Sequence, residues 1–262
     1  MSKGSRNLPI NDVLIIGYGV VGQNLYKEYA ALHPDLQDPP KGMIKPKSRY
    51  GTGFVCVDTP LKDRMLDTET VEKVVEDNEC DIYVIKSTVP VGFTEYLKGK
   101  TGKRIVFSPE YYGSTQHCNN HVFNFTVIGG EKDDTTAVQQ LLQSVYDASH
   151  RFMLVDSKTA EMTKFMENAW LGTKVSFCTE FYRAAEKAGI DYETLRECFV
   201  LDPRVNPSHT FVYDDHPYWD SHCLNKDIPS IAHQFEIELL ESICKLNKKR
   251  KDEFHATSNQ KL

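Results

Sequence analysis

Between residues 12 and 155 the chain alternates short apolar runs with longer stretches in which apolar residues recur at helical spacing. The runs Val13-Leu14-Ile15-Ile16, Gly53-Phe54-Val55-Cys56-Val57, Arg104-Ile105-Val106-Phe107 and Phe125-Thr126-Val127-Ile128, with residues 81–85 and 151–155, are rich in β-branched and aromatic side chains. Such runs read as strands, and continuous apolarity marks strands covered on both faces. A brief, weakly marked strand is added at 35–38. Residues 23–32, 67–78 and 134–146 read as the intervening helices, and Asp67-Thr68 can cap the second of these. Strand and helix in alternation predict a parallel sheet clothed by helices. The fold class is therefore α/β: a Rossmann-like doubly wound sheet over residues 1–156. Residues 1–11 are polar and read as loose, and 39–50, with three prolines and several lysines, read as a surface loop.

From Ser157 onward the rhythm is helical only. Residues 159–188 predict one long helix with Met162, Phe165, Ala169, Thr173, Ser176 and Phe177 as a packing stripe. Lys164 and Asn168 stand four apart and share a face of it. Gly189 ends this helix and Asp191 caps the next, to about Phe199. An irregular stretch, 201–223, precedes a last helix at 228–246. The pattern predicts an all-helical dimerisation domain over 157–248 and, after the run Lys248-Lys249-Arg250-Lys251, a flexible tail at 249–262.

Composition narrows the class. With 262 residues, 40% hydrophobic and 26% charged, and a formal net charge of −6, the chain has room for a full core and no general electrostatic attraction to nucleic acid or anionic membrane. No apolar run approaches spanning length, and the first nine residues lack the apolar centre of a signal peptide, so a cytoplasmic protein is expected. The seven cysteines are scattered and form no C-x-x-C pair, so neither a zinc knuckle nor a disulfide framework is indicated. His209, His216 and His222 with Asp214 and Asp215 match no standard ligand spacing, and no metal site is assigned.

The first strand runs into Gly17-Tyr18-Gly19-Val20-Val21-Gly22, a G-x-G-x-x-G spacing at the opening of a helix. Gly17 suits the tight turn, Gly19 lets the backbone approach a pyrophosphate, Gly22 packs helix on strand, and the anion sits on free helix N–H groups. An acid about 20 residues on is part of this fingerprint, because it accepts from the ribose hydroxyls of NAD. Asp38 stands there, Asp35 is an alternative, and Lys41, Lys45, Lys47 and Arg49 leave NADP open. Thr59, Ser87, Thr88 and Glu110 also follow strand ends, where ligands bind in open α/β sheets. Singly each has a plainer reading, Thr88 as a helix cap and Glu110 as a solvated loop acid.

Several stretches together resemble the UDP-glucose/GDP-mannose dehydrogenase family, whose members use NAD to oxidise a nucleotide sugar's primary alcohol twice, to a carboxylate. They are the Gly17–Gly22 loop, Val55-Cys56-Val57-Asp58-Thr59-Pro60, Lys86-Ser87-Thr88-Val89-Pro90-Val91-Gly92, Ser108-Pro109-Glu110, Ala160-Glu161-Met162-Thr163-Lys164-Phe165-Met166-Glu167-Asn168-Ala169, Asp202-Pro203-Arg204-Val205 and Cys223-Leu224-Asn225-Lys226-Asp227. The resemblance implies that Cys223 is a covalent nucleophile favoured as thiolate by Lys226 and His222, that Lys164 and Asn168 stabilise an oxyanion, and that Asp227 and Thr88 handle water and protons. Glu110 would act as base in thioester hydrolysis. For the cofactor it implies NAD held by Gly17, Tyr18, Gly19, Val20, Val21, Gly22, Asp38, Thr59, Ser87, Thr88 and Lys226. For the sugar it implies Glu110, Tyr111, Lys164, Asn168, Arg204, Tyr218 and Trp219. A homodimer through the 159–188 helix is implied as well.

Two departures stand out. Tyr218-Trp219-Asp220-Ser221 replaces the glycine-rich strand the family places before its cysteine, and the family's second nucleotide-binding domain has no counterpart here. Asp58 also stands where the family commonly has a small residue. The favoured expectation is four-electron oxidation of a UDP-sugar, UDP-glucose to UDP-glucuronate first. The alternatives are a two-electron hydroxy-substrate dehydrogenase of the 6-phosphogluconate-dehydrogenase-like group and a non-catalytic NAD-binding subunit that needs a partner chain.

Overall fold

The computed structural model describes residues 12–113 and 123–259. The predicted loose segment at 1–11 and the last three residues of the predicted tail lie outside these. The chain divides into two compact units, Met1–Pro60 with Leu66–Lys164, and Leu61–Met65 with Phe165–Leu262.

The first unit holds strands β1 (Val13–Ile16), β2 (Asp35–Gln37), β3 (Arg49–Val55), β6 (Glu79–Ile85), β7 (Ile105–Phe107), β8 (Phe125–Gly129) and β9 (Arg151–Val155), in the sheet order β2-β1-β3-β6-β7-β8-β9. Helices α1 (Val20–Glu28), α2 (Glu69–Asp77), α3 (Phe93–Thr101) and α4 (Lys132–Leu142) connect them. Strands β4 (Leu61–Lys62) and β5 (Met65–Leu66) form a separate small hairpin whose turn residues Asp63 and Arg64 both have positive φ.

Alternation along each strand explains the double covering. Leu14, Ile16, Val55, Tyr83, Ile85, Ile105 and Phe107 pack with Val71, Val75, Phe93 and Leu97 of α2 and α3. Their neighbours Val13, Ile15, Phe54, Ile82, Val84 and Val106 pack with Leu25 and Tyr29 at α1 and Val138, Leu141 and Leu142 of α4. Side chains of period two thus supply two cores, one on each face. With β2 on one side of β1 and β3 on the other, the winding direction reverses at β1, and a crevice is expected outside the carboxyl ends of β1 and β3. The Gly17 turn and residues 56–60 follow those ends.

Several boundaries differ from expectation, for identifiable reasons. β3 begins at Arg49 because Tyr50 is buried, with its hydroxyl donating to Asp35 Oδ2 at 3.1 Å, so the surface link before it is shorter than read. The sheet is not wholly parallel: β7 and β8 pair antiparallel through Phe107 and Gly129, after which β8 and β9 run parallel. Helix α3 was not marked by apolar spacing. It starts after Gly92, at φ 96°, and its N-terminus is capped by the buried Glu161 carboxylate, which accepts from Thr94 N at 2.9 Å and Thr94 Oγ1 at 2.6 Å.

The long helix α5 spans Ser157–Ala188, and the division between units falls inside it, after Lys164. In the second unit α5 continues beside α6 (Tyr192–Val200), α7 (His222–Gln234) and α8 (Glu238–Asn259). Asp191 caps α6 by accepting from Thr194 N at 2.8 Å, as its position predicts. Gly172 lets α7 approach α5: a Cβ there would lie 2.3 Å from Ile228 Cδ1. The predicted stripe is partly displaced. Phe165, Ala169 and Ser176 are buried, but Phe177 is 49% exposed and aligns with Met166, Trp170 and Phe181 on an open face of α5.

The expected single last helix is two helices broken at 235–237, where Glu236 takes φ 51°. The tail expected from residue 249 is instead helical through Asn259. Its charges are spent on helix pairs: Lys248 with Asp252 at 2.6 Å, and Arg250 Nη2 with Glu180 Oε2 of α5 at 2.7 Å. A basic run reads as solvated only when its counter-charges are not seen.

Candidate functional site

In the first unit the glycine turn is shaped by sterics. Gly17 sits at φ 94°, and a Cβ on it would be 2.5 Å from Cys56 O; one on Gly22 would be 2.0 Å from Gly17 O. Around Gly19, by contrast, a Cβ would meet nothing within 4 Å. The turn therefore presents its middle backbone openly, while its two ends are locked against protein. Helix α1 begins at Val20 and has no acidic residue in its first turn, so none of its own first-turn side chains offsets the positive end of its dipole.

Asp38, at the end of β2, accepts from the Tyr18 N–H at 2.8 Å and lies 3.7 Å from Lys41 Nζ. Asp35 is engaged elsewhere, by the Tyr50 hydroxyl and by Lys47 at 3.6 Å. Of the cations that left NADP open, Lys47 pairs with Asp12, Arg49 with Asp81, and Lys45 donates to Asn78. Only Lys41 of these four is placed at Asp38 among the described residues.

Past β3 and β6, Thr59 donates to the Thr88 carbonyl at 2.8 Å and Ser87 to the Val57 carbonyl at 2.6 Å, which knits the two strand-end loops together. Asp58 Oδ1 accepts from the Thr59 N–H at 2.9 Å. Past β7, the buried Glu110 carboxylate accepts from Tyr112 N at 2.7 Å and lies 3.8 Å from the buried Lys164 ammonium. Lys164 also stands 5.2 Å over the ring of Tyr111. A carboxylate and an aromatic face are both groups that favour an ammonium over a neutral amine, and they hold this buried side chain in place.

Three buried ionisable groups here, Lys86, Cys56 and Glu161, were given no role from sequence. Lys86 donates to Ser108 Oγ at 3.0 Å, and burial pushes its ammonium pKa down against the opposing fields of Glu28, Cys56 and Glu110. Burial raises the nearby Cys56 thiol to about 12, so that thiol stays protonated. Burial also raises Glu161, although the N–H groups at the start of α3 pull the other way. Glu161 was visible in principle: it stands three before Lys164 and seven before Asn168, on the same helical face.

In the second unit a polar cluster is built on α5 and α7. Asp227, fully buried, accepts from Asn168 Nδ2 at 2.7 Å and from Lys226 Nζ at 2.9 Å. Cys223 is the second residue of α7, which Ser221 caps by accepting from Leu224 N at 3.1 Å. The first turn of a helix favours an anionic group. Lys164 and Asn168 occupy successive turns of α5.

The remaining predicted substrate contacts, Arg204, Tyr218 and Trp219, lie as follows. The Arg204 side chain is 88% exposed and forms a fork on Asp202, with Nη2 to Oδ2 at 2.6 Å. Tyr218 and Trp219 are buried inside the second unit, 8% and 6% exposed, and the Trp219 indole N–H is satisfied by Ser176 Oγ at 3.0 Å. Trp219 is bonded to both α5 and α8, and the Tyr218 ring lies beside Phe254 and His255 of α8. Among the described residues no group of three or more His, Cys, Asp or Glu is arranged to hold a metal, and no helix is long and apolar enough to cross a membrane.

Residues 158–249, which hold Lys164, Asn168, Arg204, Cys223, Lys226 and Asp227, match the central domain of the UDP-glucose/GDP-mannose dehydrogenase family. That segment is what the chain shares with the family model. Over 270 residues it is 26% identical to the UDP-glucose 6-dehydrogenase of Streptococcus pneumoniae, covering 96% of this chain and 65% of that protein. The chain therefore spans less than two thirds of that family member's length. The fold matches the UDP-glucose dehydrogenase of Pyrobaculum islandicum with a TM-score of 0.77 at 18% identity, over 95% of this chain and 70% of that one. It matches the UDP-D-ManNAc dehydrogenase of Pyrococcus horikoshii with a TM-score of 0.73 at 22% identity, over 91% and 68%.

Proposed function

We propose that this chain belongs to an NAD-dependent dehydrogenase that oxidises the primary alcohol of a nucleotide sugar to a carboxylate, with UDP-glucose as the first substrate to test. The observation that carries the reading is the Asn168–Asp227–Lys226 cluster one turn beyond Cys223, within the segment that matches the family's central domain.

The glycine turn fits a dinucleotide. It has open space at Gly19, a helix N-terminus with no acidic residue in its first turn for the pyrophosphate, and Asp38 beside the turn for a ribose hydroxyl. Gly17 to Gly22, Asp38, Thr59, Ser87 and Thr88 would hold the cofactor. When bound, NAD accepts one hydride in each oxidation. The chain's own residues do the rest. Cys223 Sγ adds to the aldehyde carbon, and oxidation of that thiohemiacetal gives a thioester, so no aldehyde is released. Lys164 and the second amide N–H of Asn168 donate to the developing oxyanion. Asp227 takes up and returns protons, and Glu110 draws a proton from the water that cleaves the thioester.

Two NADH formed per UDP-glucose, with an acidic product, is the expected result for the purified chain. One NADH per sugar would favour the two-electron alternative. NAD binding without turnover on any nucleotide sugar would favour the partner-dependent subunit.

Asp38→Ala is expected to weaken NAD about tenfold to a hundredfold, the worth of one or two charge-assisted hydrogen bonds, with the rate at saturating NAD little changed. Fluorescence titration of NAD checks this. Unaltered affinity would transfer the ribose contact to another acid.

The chain is also proposed to form a homodimer through α5. Met166, Trp170, Phe177 and Phe181 are 74%, 60%, 49% and 50% exposed along one face of that helix, and so much aligned apolar surface is uncommon on a monomer. Sedimentation is expected to give a dimer, and the double substitution Trp170→Lys with Phe181→Lys a monomer. A wild-type monomer at micromolar concentration would overturn the assignment.

A further inference from the structure

The residues that replace the family's glycine-rich strand are tied to α8 by an unusual contact. The Trp219 N–H donates to Asn247 Oδ1 at 2.9 Å, and the Trp219 carbonyl accepts from Asn247 Nδ2 at 2.8 Å. One buried side-chain amide thus pairs with both backbone groups of one residue, as an adjacent strand would. Asn247 is 8% exposed and Trp219 6%. The next residue is braced on two sides: Asp220 Oδ1 accepts from Asn225 Nδ2 of α7 at 2.7 Å, and Asp220 Oδ2 from Lys251 Nζ of α8 at 2.9 Å. The one after that, Ser221, caps α7.

We propose that Asn247 is a positioning residue for Cys223: its two-point hold on Trp219 fixes the 218–221 segment and, through Ser221 and the Asp220–Asn225 brace, the first turn of α7 that carries the thiol. The inference rests on the reading of Cys223 as nucleophile and adds the device that aims it. The argument is one of degrees of freedom. A glycine-rich strand can follow many paths; here bulky residues fill its place, and a single path is selected by pairing the backbone at Trp219, four residues before the thiol. Only a short side chain with both a donor and an acceptor can do this. Asp lacks the donor, Ala lacks both groups, and Gln reaches one methylene too far. Lys251 and Arg250, in the run that reads as a solvated tail, are the outer part of the same clamp: Arg250 ties α8 to Glu180 of α5, and Lys251 ties it to Asp220.

The test is the pH profile of Cys223 alkylation by iodoacetamide, read by peptide mass spectrometry in the wild type, Asn247→Asp and Asn247→Ala. In both variants the profile is expected to move toward that of Cys223 in the urea-unfolded chain, further for Ala than for Asp. The rate of NADH formation should fall tenfold or more, with KM for NAD within twofold of wild type. A wild-type alkylation profile in a folded Asn247→Ala protein overturns the proposal. Should the Asn247 variants not fold, Ser221→Ala with Asn225→Ala cuts both links by which the hold reaches the first turn of α7; a shift in the same direction supports the proposal and an unchanged profile overturns it. Alkylation is read without turnover. Full acid production by Cys223→Ser would sink the nucleophile reading alone, whereas an unmoved profile would sink the positioning role alone.

Discussion

Cys223→Ser is expected to abolish acid formation, by a factor on the order of 10³ or more, while NAD binding stays at its wild-type strength. The two effects separate because the two groups lie on different elements: the glycine turn, Asp38, Thr59, Ser87 and Thr88, proposed to hold NAD, follow strands β1, β2, β3 and β6, and Cys223 opens α7. Serine keeps the approximate size of the side chain but is a far weaker nucleophile at neutral pH, because a hydroxyl ionises far less readily than a thiol. Without a covalent holder the aldehyde has no thioester to pass through. The variant should therefore stop near one NADH per sugar or turn over barely at all. Product mass and NADH stoichiometry check this together. Full conversion to acid by the serine variant would rule out covalent catalysis and move the second oxidation to an aldehyde hydrate.

Much of the fold is legible in the sequence because its elements are marked locally. Val13-Leu14-Ile15-Ile16 followed by three spaced glycines announces strand, turn and helix with no help from the rest of the chain, and the structure has β1, the Gly17 turn and α1 in that order. The strand-end placement of Thr59, Ser87, Thr88 and Glu110 follows from counting elements. Where local composition misleads, the missing information is a distant partner. Arg49-Tyr50-Gly51-Thr52 looks like loop until Tyr50 finds Asp35, and Lys248 to Lys251 look solvated until Glu180 and Asp220 are brought to them.

The candidate site divides in the same way. Lys164, Asn168, Cys223, Lys226 and Asp227 are legible as residue types at family spacing, but their geometry is not. That Asp227 is held by both Asn168 and Lys226 depends on α7 lying against α5, which Gly172 permits and no periodicity encodes. Trp219 was read as a sugar contact because it stands where a substrate strand is expected. Its burial is set by Ser176 and Asn247, 43 residues before and 28 after, and pairings of that range leave no local mark.

The glycine turn supplies the sharpest separation of stability from binding. Gly22→Ala is expected to destabilise the first unit severely, by roughly 2–4 kcal/mol, because the new Cβ would stand 2.0 Å from the Gly17 carbonyl oxygen and neither backbone segment can yield without unpacking α1 from β1. Gly17→Ala should cost a similar amount for two reasons: φ of 94° is strained for any L side chain, and Cys56 O lies 2.5 Å from the added carbon. Against a domain stability of about 5–15 kcal/mol, either loss lowers the unfolding temperature by many degrees. Gly19→Ala is the opposite case. Its φ of −77° and β-region backbone suit alanine, and nothing of the protein lies within 4 Å of the added Cβ. The fold should keep its wild-type unfolding temperature while NAD affinity falls tenfold or more, since the open space at that Cβ is the space a pyrophosphate needs. Thermal unfolding and NAD titration on the three variants decide the matter. A Gly19→Ala protein that binds NAD as tightly as wild type would show that the turn is a structural feature of the βα unit and that the dinucleotide lies elsewhere.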